Sequence, residues 1–138
     1  MSDKEFVDTN VLVYAFDRTA GAKRDAAIEL LGRLWADHCG CASIQVLQEF
    51  YVTATKKLSM PAADALAQIT RLGLWTVHRP GVDDVTAAIQ LHLSKKVSFW
   101  DAMILRSAMQ LSCSVVWSED LSHGQAWDGV VVRNPFPR

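Results

Sequence analysis

Cysteine, proline and long apolar runs are all scarce in this chain, and each scarcity removes a class of protein. Only three cysteines occur in 138 residues. An odd count, with Cys39 and Cys41 separated only by Gly40, does not make the disulfide framework of a small secreted domain. Reduced thiols acting as small hydrophobes in a buried strand are expected instead. A zinc site drawn from His38, Cys39, Cys41 and Cys113 would lack the second paired-ligand motif that zinc spacing requires. Charges interrupt every apolar run well short of the roughly 20 residues that span a bilayer. Asp3 and Glu5 precede the first apolar stretch, so neither a signal peptide nor a membrane helix is expected, and the default location is the cytoplasm. Four prolines and seven glycines are scattered without a low-complexity tract, linker or repeat. One domain over residues 1–138 follows, since half of the chain is apolar and able to bury a core.

Excess charge is missing too. A net charge of -1 excludes a protein that grips nucleic acid by overall positive charge. It does not exclude nucleic acid held locally, because cations bound to carboxylates invert the local field and Lys23-Arg24, Lys56-Lys57 and Lys95-Lys96 offer phosphate contacts. Solvated helix surface is the plainer reading of such pairs.

What the chain does have is alternation. Phe6-Val7, Cys39 to Ala42, Trp75 to Val77, Ser114 to Trp117 and Val130 to Val132 read as short strands. Between them, helical periodicity runs over Asn10 to Phe16, Ala22 to Trp35, Ile44 to Leu58, Pro61 to Leu72, Val82 to Leu93 and Phe99 to Leu111. Strands alternating with helices predict an α/β fold with a parallel sheet covered on both faces. In that arrangement strand carboxyl ends and helix amino ends share one sheet edge, where open α/β sheets bind ligands.

Four acids fall at that edge. Asp8 follows the first strand in Asp8-Thr9-Asn10, Asp120 follows a later one in Ser118-Glu119-Asp120, and Glu49 and Asp101 lie in helices. Each has a bland reading. Asp8 would cap the helix beginning near Asn10, and Asp101 occupies the acidic position of a Ser98-x-x-Asp101 capping box. Asp120 would be a turn aspartate. Glu49 is harder to dismiss, since it lies beyond reach of the cap and its forward neighbours Val52 and Thr53 offer no salt bridge. One shared cause is more economical: clustered carboxylates repel unless a cation compensates. Magnesium prefers hard oxygen ligands, and two such ions activate water and stabilise a leaving oxygen. Phosphodiester hydrolysis is the chemistry that fits.

Other catalytic patterns are absent. Asp8-x-Asn10 lacks the second aspartate of a haloacid-dehalogenase-like phosphatase, and there is no Walker loop or Gly-x-Ser-x-Gly elbow. His78, His92 and His123 are scattered with no acid or nucleophile beside them in sequence. The five tryptophans stand mainly next to apolar positions and are expected in the core.

Taken in order, Val7-Asp8-Thr9-Asn10-Val11-Leu12-Val13-Tyr14, Gln48-Glu49-Phe50, Ser98-Phe99-Trp100-Asp101-Ala102 and the tail from Ser118 to Gln125 with Asn134-Pro135-Phe136 resemble the PIN-domain ribonucleases. The likeness is strongest to the VapC-type toxins of type II toxin-antitoxin systems. It implies a three-layer α/β/α sandwich with a mainly parallel central sheet of about five strands. It also implies a magnesium- or manganese-dependent endoribonuclease leaving a 5′-phosphate and a 3′-hydroxyl. Asp8 and Asp101 would be the principal metal ligands, Glu49 and Asp120 would complete the catalytic set, and Asn10 and Ser118 would support it. His123 and Gln125 would lie near substrate. The implied partners are an RNA substrate, a cognate antitoxin whose tail covers the acidic pocket, and a second copy of the chain; no membrane is implied. A noncatalytic PIN-like module that binds RNA or protein is the alternative, and a small phosphatase a third.

Overall fold

The computed structural model describes residues 3–121 and 124–137. Strand β1 (Glu5–Val7) leads into the short helix α1 (Thr9–Tyr14) and then α2 (Ala22–Ala36). Strand β2 (Gly40–Ser43) is followed by α3 (Ile44–Lys57) and α4 (Ala62–Leu72). Strand β3 (Thr76–His78) is followed by α5 (Val82–Lys95) and α6 (Phe99–Gln110). Strands β4 (Val115–Trp117), β5 (Ala126–Trp127) and β6 (Val130–Arg133) complete the order. No described helix is long and apolar enough to cross a membrane.

These elements make a three-layer α/β/α sandwich around a six-stranded sheet of order β3-β2-β1-β4-β6-β5. All pairings are parallel except β5 with β6. Strand β1 lies between β2 and β4, with Phe6 opposite Cys41 on one side and Val116 on the other. A strand so enclosed must be apolar on both faces, and Phe6 and Val7 are fully buried. The core gathers Leu12, Leu34, Val46, Phe50, Ile104, Leu105, Val116 and Val132 around them. Gly40 is required by this packing, since a Cβ there would come 2.5 Å from Trp75 Cε2. Cys39, Cys41 and Cys113 are buried free thiols, as the small-hydrophobe reading expects.

Six strands, not about five, form the sheet, and the additional one has a local cause. Trp127 pairs with Val130 across Asp128-Gly129, both residues having positive φ, 46° and 86°. Asp-Gly is a preferred two-residue hairpin turn because glycine accepts positive φ and aspartate tolerates it. That signal is present in the sequence and marks β5.

A second difference concerns His78. Nothing beside it in sequence is an acid or nucleophile, yet the fold brings Ser107 Oγ to 2.7 Å from Nδ1 and Asp84 Oδ2 to 3.4 Å from Nε2. Ser107 is only 1% exposed in the middle of α6, which leaves no route for a substrate carbonyl. This Ser-His-Asp arrangement therefore acts as packing. Asp84 also accepts from Arg106 Nε at 2.9 Å, Gln110 Nε2 at 3.1 Å and the Gly81 amide at 2.8 Å, tying α5, α6 and β3 together. The Gly81 amide leads those donors in holding the Asp84 carboxyl down at about 2. Asp84→Ala would strand Arg106 and His78 without their partner and is expected to cost about 3 kcal/mol, measured as a lower urea midpoint at unchanged slope.

Candidate active site

Local signals place each acid. Asp8 leaves β1 with extended backbone (φ -73°, ψ 157°) and caps α1, accepting the Thr9 amide at 2.7 Å. The bland capping reading is thus correct as far as it goes, but it occupies one oxygen. The other accepts Ser118 Oγ at 2.8 Å. Ser118 follows β4, beside β1, and its hydroxyl oxygen also accepts the amides of Asp120 and Leu121 at 3.1 and 3.2 Å. The turn that carries Asp120 is therefore folded around the same serine that holds Asp8.

Asn10 ties the two ends further. Its Nδ2 donates to Asp120 Oδ2 at 3.0 Å and lies 3.4 Å from Asp8 Oδ2, while its carbonyl accepts the Glu119 amide at 3.2 Å. Glu49 projects from α3, whose start is capped by Ser43 Oγ. Thr9 Oγ1 donates to one Glu49 oxygen at 3.0 Å and Gln45 Nε2 to the other at 2.7 Å. Asp101 lies in the first turn of α6, where its amide donates to Ser98 Oγ at 3.1 Å. That is one half of the expected capping box, and the Ser98 side chain also holds the Asp101 carboxyl down against the effect of burial.

The four acids therefore lie toward the predicted sheet edge, and the Asp8 and Asp101 carboxyls are shifted in part by the charges of their neighbours. Burial pushes the Asp8 carboxyl up to about 6, against the lowering effect of the Ser118 and Thr9 donors, and Glu49 and Asp101 push it further. Burial also raises Asp101, helped by the charges of Asp120 and Glu49. Asp8 is 6% exposed. Among the described residues no Lys, Arg or His forms an ion pair with any of the four.

Among those residues, too, no three His, Cys, Asp or Glu side chains are drawn together into a ready-made metal cage. Magnesium does not need one: it keeps several waters and takes one or two carboxylates plus substrate phosphate. Asp8 Oδ1 accepts one hydrogen bond and Oδ2 two, the second of these long at 3.4 Å; a carboxylate has about four lone-pair sites, so Oδ1 keeps capacity for a cation. A buried carboxylate with hard oxygen neighbours and no cationic side chain fits a divalent ion.

Several contributors escape a reading that looks only forward along the helix. Gln45 lies one turn before Glu49 rather than after it, and Thr9 sits between two singled-out residues. The Glu119 carboxylate, beside Asp120, accepts from Tyr14 Oη at 2.8 Å and pairs with Lys23, which removes Lys23 from the free surface cations. Trp100 departs from the expectation of core tryptophans, being 63% exposed while its carbonyl receives Gln45 Nε2 at 3.4 Å. His123 lies outside the described residues, and Gln125 is exposed ahead of β5.

The fold belongs to a known class. The sequence profile of the PIN domain family matches residues 6–125, and the chain is a member of that family. Solved structures with the same fold are VapC20 of Mycobacterium tuberculosis, described as a sarcin-ricin loop cleaving toxin, a toxin-antitoxin complex from Klebsiella pneumoniae and a DNA-bound VapBC from Salmonella typhimurium. Sequence identities are 21%, 20% and 20%, with TM-scores of 0.64, 0.71 and 0.65. The alignments cover 85%, 96% and 97% of this chain and 92%, 98% and 99% of those chains. No curated protein matches it significantly.

Proposed function

We propose that this protein is a metal-dependent endoribonuclease and the toxin of a toxin-antitoxin pair, acting in the cytoplasm as one PIN-like domain spanning residues 1–138. The observation that carries the reading is the buried Asp8 carboxyl, raised by burial and by Glu49 and Asp101, with no cationic side chain among the described residues paired with it. Asp8 and Asp101 would be the main ligands of magnesium or manganese, with Glu49 and Asp120 completing the set. Such an ion supplies Lewis acidity and a low-pKa water.

The chain's own residues supply orientation. Ser118 and the Thr9 amide fix both oxygens of Asp8, Asn10 fixes Asp120 beside it, and Thr9 with Gln45 fixes Glu49. Rotamers locked in this way place negative charge before substrate arrives, which is the condition for binding a cation without reorganisation. An RNA loop suits the open edge, because unpaired bases can be splayed out while the scissile phosphate reaches the acids. The description of a structural neighbour as a sarcin-ricin loop cleaving toxin supports RNA as the substrate class. Toxin-antitoxin complexes among the neighbours support an antitoxin partner, and homodimerisation is part of the same proposal.

Thr9→Val keeps the shape of the side chain and removes its donor to Glu49. It is expected to weaken manganese binding and cleavage by about 10- to 100-fold, with Thr9→Ser restoring both; calorimetric titration and cleavage rates read the two effects. Gln45→Ala should act in the same direction. The function itself is tested by incubating the purified protein with total bacterial RNA in magnesium, manganese or EDTA and mapping new ends. Discrete metal-dependent cleavage with 5′-phosphate ends supports the ribonuclease. Folded, metal-loaded and antitoxin-free protein that binds RNA without cutting would instead be a PIN-like binding module, and turnover of a generic phosphomonoester alone would indicate a phosphatase.

A further inference from the structure

The cleft beside the acids is much larger than an ion needs. It encloses about 1180 Å³, above the roughly 300–1,000 Å³ of small-molecule pockets. Its wall includes Glu49, Thr53 and Lys57, which recur every four residues and so form one stripe of α3. At 1.5 Å per residue Lys57 lies roughly 12 Å along the helix from Glu49.

Two arginines join Lys57 on the wall, Arg18 from the turn after α1 and Arg24 from the first turn of α2. None of the three forms an ion pair with a described residue. The nearby acids are otherwise engaged: Asp17 accepts the Thr19 amide and hydroxyl, and Glu119 takes Lys23 and Tyr14. Asp64, at the start of α4, is the exception on this wall. The Nε of Arg24 is buried and bonds to no described residue. Buried donors are seldom left unpaired, and a guanidinium fork is suited to phosphate. Tyr14 and Phe16 lie in the same wall, offering aromatic surface on which bases stack.

We propose that Arg24, Arg18 and Lys57 form a phosphate track that holds single-stranded RNA along the cleft, several nucleotides from the acids. The track rests on the ribonuclease reading above and assigns it a strand path. The binding test uses a fluorescein-labelled oligouridine RNA with protein carrying Asp101→Asn, so that the strand is bound without being cut, and anisotropy is followed across a salt series.

Adding Arg24→Gln is expected to raise Kd about tenfold at low salt and to reduce the slope of log K against log salt by about 0.7; Arg18→Gln with Lys57→Gln should reduce it by about 1.4. Arg24→Lys should keep the slope, which separates lost charge from lost folding, and the exposed Arg18 and Lys57 pair gives a second reading that does not touch a buried group. In the cleaving protein the same substitutions should raise KM more than they lower kcat. If the Asp101→Asn parent binds RNA and the unsubstituted protein cuts it while every variant keeps its Kd and slope, the track is overturned and the ribonuclease stands. If the Asp101→Asn parent does not bind RNA and the unsubstituted protein does not cut it, both are overturned. If the variants lose binding of a poly-glutamate peptide but not of RNA, the cleft belongs to an acidic protein partner and the RNA track is overturned.

Discussion

Asp101→Asn is expected to cut metal-dependent RNA cleavage by about a thousandfold and, in EDTA, to raise the melting temperature. The two effects have one cause. The Asp101 carboxyl is raised first by burial and then by the charges of Asp120 and Glu49, so the metal-free protein holds like charges close together at the cost of stability. Asparagine has nearly the same shape, and the amide of residue 101 still donates to Ser98 Oγ, so the start of α6 keeps its cap. With cation and substrate present the balance reverses. A metal ion contributes several kcal/mol of transition-state stabilisation, and a thousandfold corresponds to about 4 kcal/mol at 1.36 kcal/mol per decade. Single-turnover cleavage of mapped RNA and calorimetric melting in EDTA read the two sides. Full metal-dependent turnover by the variant would remove Asp101 from the catalytic set. A lower melting temperature would mean that the carboxylate makes stabilising contacts instead of suffering repulsion.

Element type was legible wherever a single periodicity governs a segment. Phe6-Val7 is apolar on both faces because β1 has a strand on either side, and no alternating pattern competes with that reading. The stripe of α3 shows at helical spacing, and Ser43 and Ser98 mark helix starts by side-chain caps that the structure contains. Strand β5 was overlooked for a different reason. Two residues carry no periodicity, and only the turn chemistry of Asp128-Gly129 announces them. That the four acids would lie toward one edge was legible because a parallel sheet sends strand ends and helix starts there, a rule that needs topology and not distances. Asn10 and Ser118 came in as supports through the family resemblance, but their partners did not, because Asn10 reaches Asp120 and Ser118 reaches Asp8 across 110 residues; Thr9, which reaches Glu49 across 40, was not singled out at all. Pairings of that kind follow from strand order, which a sequence constrains only after the fold is assumed. His78 illustrates the same limit, since Asp84 and Ser107 reach it from two different helices.

The remaining large effect is the pH dependence of stability in the absence of metal. Asp8 has an ordinary value of 3.8 and is raised to about 6 in the folded protein, chiefly by burial. A raised carboxyl binds its proton more tightly when folded, so its contribution is fully present below the unfolded value and is lost as pH rises through the folded one. The metal-free protein is therefore expected to lose stability between about pH 4 and pH 6, by on the order of 3 kcal/mol from Asp8, and to change little from this group above that window. Asp101 is shifted in the same direction and adds to the loss. Magnesium or manganese should oppose it most at neutral pH, where the carboxylates are ionised; a ligand at a hundred times its Kd stabilises by about 2.7 kcal/mol. Urea midpoints measured from pH 3.5 to pH 8, with EDTA and with metal, resolve these terms. Asp8→Asn should flatten the EDTA curve and abolish most of the gain from metal, whereas Ser118→Ala, by removing the donor that most lowers the Asp8 carboxyl, should carry the loss to higher pH. A metal effect that is equal at pH 4.5 and pH 7.5 would separate cation binding from these carboxylates and return Asp8 to the role of a buried helix cap.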